Sequence, residues 1–104
     1  MLPEPFGLSV SRTRAHTMIA ARGEIDLVTS AELARAIDAA WAAGGDVRVD
    51  LRATTFADSS LPRVLLHGAD RMRGAGRRLD VVCRRGGAPA RLFALTGTEH
   101  LLAA

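Results

Sequence analysis

Asp58-Ser59-Ser60 puts one carboxylate and two hydroxyls at a point where the chain changes conformation. An alternating apolar strand, ending at Leu51, leads through a short polar turn into the triplet, and an apolar helical pattern begins straight after it. The two hydroxyls therefore fall on the first turn of a helix. The first amides of a helix lack intrahelical partners and carry the positive end of its dipole, an arrangement that suits a phosphate group. One chemistry offered here is a phosphorylatable serine. The other is plain capping, since Asp and Ser are common helix N-caps.

Other reactive side chains are sparse. Glu24 and Asp26 follow the second apolar stretch, and with Asp58 they would converge if both strands end on one edge of the sheet, where α/β folds place their sites. Three carboxylates there would make either an acid-base or magnesium site or a polar rim beside Ser59 and Ser60, and the rim is the better account. His16, His67 and His100 are scattered without metal-ligand spacing, and H-E-x-x-H, P-loop, G-x-G-x-x-G and G-x-S-x-G patterns are all missing. No catalytic residue, metal site or cofactor is expected. Cys83 stands alone inside the apolar run Leu79 to Cys83, which fits a buried structural thiol and excludes an internal disulfide.

The elements that must position these residues show in the hydropathy pattern. Phe6, Leu8 and Val10 mark a first strand and His16 to Arg22 a second, joined by the short Arg12-Thr13-Arg14-Ala15 turn. Thr29-Ser30-Ala31-Glu32 has the form of a capping box and opens a helix there, with Leu33, Ile37, Ala40 and Trp41 on one face and Gly44-Gly45 as the stop. Trp41 reads as a core anchor. Val47, Val49 and Leu51 alternate with Arg48 and Asp50 in a third strand, and Leu79, Val81 and Cys83 repeat the pattern in a fourth. Between them Leu61, Val64, Leu65, Gly68 and Met72 form a helical stripe ending near Gly74-Ala75-Gly76. A last helix begins at Pro89 and carries Leu92, Phe93 and Leu95. Strands with one wet face call for helices on the other face only. The expected architecture is α/β: a mixed four-stranded sheet with helices mainly on one face, in the order β-β-α-β-α-β-α.

At 104 residues and 48% hydrophobic content, the chain is sized for one domain over residues 1–104 that buries roughly 60–70% of its unfolded surface. The longest apolar runs fall short of the roughly 20 residues of a membrane span, and Met1 to Val10 lacks the pattern of a signal peptide. A cytoplasmic location is the expectation. All 14 basic residues are arginine, and seven of them (Arg71, Arg73, Arg77, Arg78, Arg84, Arg85 and Arg91) crowd the second half. Single-strand binders interleave aromatics with such charge, and only Phe93 lies there, so a solvated surface rather than direct nucleic-acid contact is expected.

Taken together, these segments resemble the STAS domains of bacterial anti-sigma-factor antagonists. Arg22-Gly23-Glu24-Ile25-Asp26-Leu27 is similar to that family's G-E-[IL]-D segment, Val49-Asp50-Leu51 with Thr55-Phe56-Ala57-Asp58-Ser59-Ser60 to its D-L-x-x-[TV]-x-F-x-D-S-S segment, and Leu95-Thr96-Gly97 to its late L-T-G. The resemblance implies a non-enzymatic regulator of transcription. Its unphosphorylated form would bind an anti-sigma factor with serine-kinase activity and free a sigma factor, and phosphorylation would reverse this. It implies Ser60 as phosphoacceptor, Asp58 and Ser59 as its support, and Glu24, Asp26, Asp58, Ser60 and Leu61 as partner-binding residues, in a monomer or weak dimer. A subunit of a lipid-transport or stress-sensing assembly, without the phosphoswitch, is the alternative. One departure stands out: where the family continues with Gly-Leu, this chain has Leu61-Pro62. Bulk at Leu61 would then stand against a kinase active site, and Pro62 removes one amide donor while remaining compatible with a first helical turn.

Overall fold

Alternation along the strands decides which face of the sheet is dry. The computed structural model describes residues 5–103, so Met1 to Glu4, part of the segment tested above for a signal peptide, lie outside the described residues. Strands β1 (Gly7–Arg12), β2 (His16–Ile25), β3 (Asp46–Ala57) and β4 (Leu79–Val82) lie side by side in chain order. β1 is antiparallel to β2, and β2, β3 and β4 run parallel. Helix α1 (Leu27–Ala43) connects β2 to β3, α2 (Ser60–Gly74) connects β3 to β4, and α3 (Ala88–Thr96) follows β4 before a short 3₁₀ turn at Glu99–Leu101. The observed order is the expected β-β-α-β-α-β-α.

Ile19, Ala21, Val47, Val49, Leu51, Leu79 and Val81 share one sheet face and form a single buried cluster with Leu33, Ile37, Ala40, Leu61, Leu65, Met72 and Phe93 from the helices. On the other face Arg48 and Arg52 are exposed and form ion pairs with Asp80 and Asp50. Surface pairs of this kind contribute little, about 0–1 kcal/mol each. The core, rather than its charged rim, holds the domain together. Beyond β4, Leu102 bridges to Val81 and the Ala103 amide donates to the Val81 carbonyl at 2.7 Å, so the C-terminal segment covers that edge of the sheet.

Several local expectations change. β3 runs on to Ala57 in place of a polar turn after Leu51, because its pairing with β2 is bulged. Between Ala20↔Asp50 and Ile25↔Ala57, β2 advances five residues and β3 seven. The extra residues shift the alternation, so that Thr54 is buried and Phe56 turned outward, 51% exposed. Gly23, at φ 83°, sits at one of these irregularities in a conformation that other residues resist. α1 starts at Leu27 rather than at Thr29. Its cap is Asp26, whose carboxylate accepts from the Val28 and Thr29 amides (3.0 and 2.9 Å), while the Thr29 hydroxyl accepts from the Asp26 amide (2.8 Å).

Trp41 is a rim residue rather than a core anchor. It is only partly buried, with the Arg71 and Arg77 guanidinium groups 4.5 and 4.7 Å from its ring centre. Arg77 also donates to the carbonyls of Ala40, Trp41 and Gly45 near the end of α1. Val10 and Leu95, both placed on apolar stripes by sequence, are 53% and 84% exposed. β1 is the outer strand, and the buried contacts of α3 are made by Pro89 and Phe93.

Candidate functional site

β2 and β3 are parallel, so their C-terminal ends lie on one edge of the sheet, each followed by a helix. The Asp58 amide donates to the Ile25 carbonyl at 3.1 Å. That bond fixes Asp58 beside the Glu24-Ile25-Asp26 segment and gathers the three predicted carboxylates at one edge. They do not act as a trio. Asp26 is engaged as the cap of α1, and the amide and hydroxyl of Thr29 hold its carboxyl below the usual range. Glu24 is exposed and lies opposite Phe56 in the sheet register. Among the described residues, no three His, Cys, Asp or Glu side chains gather closely enough to hold a metal ion.

Asp58 has the central position. Its Oδ1 accepts from the Ser60 amide at 2.9 Å and from the Ser60 hydroxyl, and its carbonyl accepts from the Leu61 amide at 3.1 Å. Ser60 is the first residue of α2 and partly buried. Ser59 occupies the cap position with helical backbone angles, is exposed, and makes no side-chain capping bond. Of the two hydroxyls, that of Ser60 already has a carboxylate as proton acceptor. The capping of α2 thus falls to Asp58, one residue before the formal cap.

Leu61 takes the place its apolar stripe gave it rather than that of an obstacle beside Ser60. Its side chain is fully buried, at 0% exposure, in the cluster that includes Leu65 and Met72. It faces the core, so its bulk is not presented at the exposed edge beside Ser60. Pro62 is buried as well, and in the first turn of α2 it costs no intrahelical hydrogen bond.

Sequence reasoning missed an apolar part of this edge. Leu27 and Val28, in the first turn of α1, are 73% and 74% exposed, and Phe56 near the end of β3 is half-exposed. All three adjoin the carboxylates. Phe56 could have been found only by knowing the bulges, and Leu27 and Val28 only by placing the cap at Asp26. Cys83, half-buried rather than fully so, has its thiol pKa raised by desolvation, which suits a packing role and disfavours thiolate chemistry. The arginines of the second half are largely committed: Arg71, Arg73 and Arg78 pair with Asp38, Asp70 and Asp80. No helix among the described residues is long and apolar enough to cross a membrane.

Comparison with known proteins agrees with this architecture. The family model described as "Mlab, STAS domain" matches residues 8–103. A crystal structure of an anti-sigma factor antagonist from Mycobacterium paratuberculosis is 28% identical, with a TM-score of 0.83 over 94% of this chain and 83% of that one. The anti-sigma factor antagonist SpoIIAA in its unphosphorylated form is similar at 19% identity and a TM-score of 0.77, covering 95% of this chain and 86% of its own. The NMR structure of the protein TM1081 is similar at 12% identity and a TM-score of 0.72, covering 89% and 75%. The last two establish the fold alone. No curated protein sequence matches. With the family model spanning nearly every described residue and the same four-stranded, three-helix topology on the page, this chain belongs to the STAS domain family.

Proposed function

We propose that this STAS domain is an anti-sigma-factor antagonist controlled by phosphorylation of Ser60. The observation that carries the reading is the company Ser60 keeps. It opens α2 at an edge where Leu27, Val28 and Phe56 expose apolar surface beside Glu24, Asp26 and Asp58. Exposed apolar residues rimmed by polar ones are the composition of a protein interface. In the unphosphorylated form this edge would receive an anti-sigma factor with serine-kinase activity and so release a sigma factor. Phosphoryl transfer forms a bond from Ser60 Oγ to the γ-phosphorus of magnesium-bound ATP and breaks the bond to the ADP oxygen. The hydroxyl proton passes to a carboxylate base, a place that Asp58 Oδ1, its present hydrogen-bond acceptor, can fill. The product adds roughly 1.5 to 2 negative charges near neutral pH to an already acidic edge, and like-charge repulsion and desolvation then weaken binding by several kcal/mol.

Incubation with the cognate kinase followed by peptide mass spectrometry should place phosphate on Ser60. Modification confined to Ser59 or elsewhere, or none with an active kinase, would sink the switch. Ser60→Ala should bind the kinase without accepting phosphate. Ser60→Asp should lose binding while its melting temperature stays close to the parent's, whereas a large drop in melting temperature would point to disruption of the domain instead. A second reading, a subunit of a larger assembly without a phosphoswitch, is favoured by the Mlab description of the family model. A pulldown that recovers transport or stress-sensing components and no ATP-binding kinase would support it.

A further inference from the structure

Phosphorylation would turn the Ser60 hydroxyl from a donor into a group with acceptor oxygens, at hydrogen-bond range of the Asp58 carboxylate that now receives it. The phosphate and that carboxylate repel each other, so the product requires a cation or fresh donors close by. The backbone supplies few. The Ser60 amide is shared with Asp58 Oδ1, the Leu61 amide is taken by the Asp58 carbonyl, and Pro62 has no amide hydrogen. Arg63 comes next, three residues after Ser60 on α2, a spacing that brings side chains together on one helical face. Its side chain is exposed, and among the described residues it forms no ion pair and no side-chain hydrogen bond. Arg71 and Arg73 of the same helix both have Asp partners.

We infer that Arg63 is the internal counter-charge of phosphorylated Ser60, drawing the phosphate along α2 and away from Asp58. This rests on the proposed modification of Ser60. A guanidinium presents paired N–H donors that match two phosphate oxygens, which a backbone depleted by Pro62 does not. Captured in this way, the phosphate stays against its own helix. The partner meets a bulkier and more negative edge, while the domain keeps its fold.

The test uses the full chain with phosphoserine installed at position 60 during translation, followed through a pH titration by phosphorus NMR. The second phosphate pKa of the parent should lie about one pH unit below that of Arg63→Gln, the direction an adjacent cation imposes on an acid. Arg63→Lys should recover part of the difference. Arg14→Gln, which removes an exposed arginine from the β1–β2 turn at the opposite end of β2, should leave the titration where it is. Equal titration of parent and Arg63→Gln, or an equal displacement by Arg14→Gln, would overturn the assignment. Without phosphate, Arg63→Gln should melt with the parent, because that side chain has no ion-pair or hydrogen-bond partner among the described residues; a lowered melting temperature would show a structural partner and also count against it. Because the phosphoserine is installed without a kinase, the Arg63 pairing is measured whether or not a kinase modifies Ser60. Failure of the kinase experiment and failure of this one are therefore distinguishable.

Discussion

Leu61→Ala separates a core role from a surface role at the residue following Ser60. Leu61 is 0% exposed and lies in the first turn of α2 within the main hydrophobic cluster. Removing a fully buried leucine side chain costs about 2–5 kcal/mol, the sum of lost transfer energy and the cavity left behind. Leu and Ala differ little in helix propensity, so the substitution probes packing almost alone. Against a typical domain stability of about 5–15 kcal/mol, a loss of about 3 kcal/mol is large. In a domain of this size it lowers the melting temperature by about 12–24 °C. Trp41 is the only tryptophan in the chain, so urea unfolding followed by its fluorescence, checked by circular dichroism, reads the loss directly. The midpoint should fall with the slope unchanged. Leu61→Gly, which restores the usual family residue, should cost about 1 kcal/mol more through helix propensity. A cost below about 1 kcal/mol for Leu61→Ala would refute the core placement and return Leu61 to the surface.

Three further outcomes follow from particular contacts. Asp26 has its carboxyl pKa lowered from 3.8 by the Thr29 amide and hydroxyl; its charge-linked stability is present above that ordinary value and lost as pH falls through the lower folded one. The melting-temperature gap between parent and Asp26→Asn should therefore be seen at neutral pH and close in strong acid, and a gap constant across that range would contradict the capping account. A methyl group at Gly68 would meet Ile37 Cγ2 and Leu79 Cδ1, each at 3.1 Å. Over-packing of about 1–3 kcal/mol against about 1 kcal/mol gained in helix propensity makes Gly68→Ala neutral to about 2 kcal/mol destabilising by urea unfolding, and a clear stabilisation would show that the α1, α2 and β4 contact is slack. Val28→Ser, at a side chain 74% exposed, should leave the melting temperature within a few degrees of the parent and weaken binding to the anti-sigma factor in calorimetry, with unchanged affinity telling against the apolar edge.

The sequence by itself determined what depends on short-range pattern. The period-two alternation of Val47, Val49 and Leu51, and of Leu79 and Val81, selects the buried sheet face with no knowledge of neighbours. The 3.6-residue stripe of Leu61, Leu65, Gly68 and Met72 likewise fixes the buried side of α2. Asp58-Ser59-Ser60 at a helix start was legible for the same reason, since the change of period on either side of it is local. What lay beyond reach depended on contacts between distant segments. Thr29 and Asp26 are both competent caps, and the choice between them follows from where β2 stops pairing with β3. The outward turn of Phe56 comes from two extra residues that β3 accommodates only against β2. Leu61 read two ways, as a member of that stripe and, through the family's glycine at its position, as an obstacle beside Ser60, and only its neighbours in space decide for the core. Tertiary structure decided these points because burial is a property of what packs around a side chain, and hydropathy records only the side chain itself.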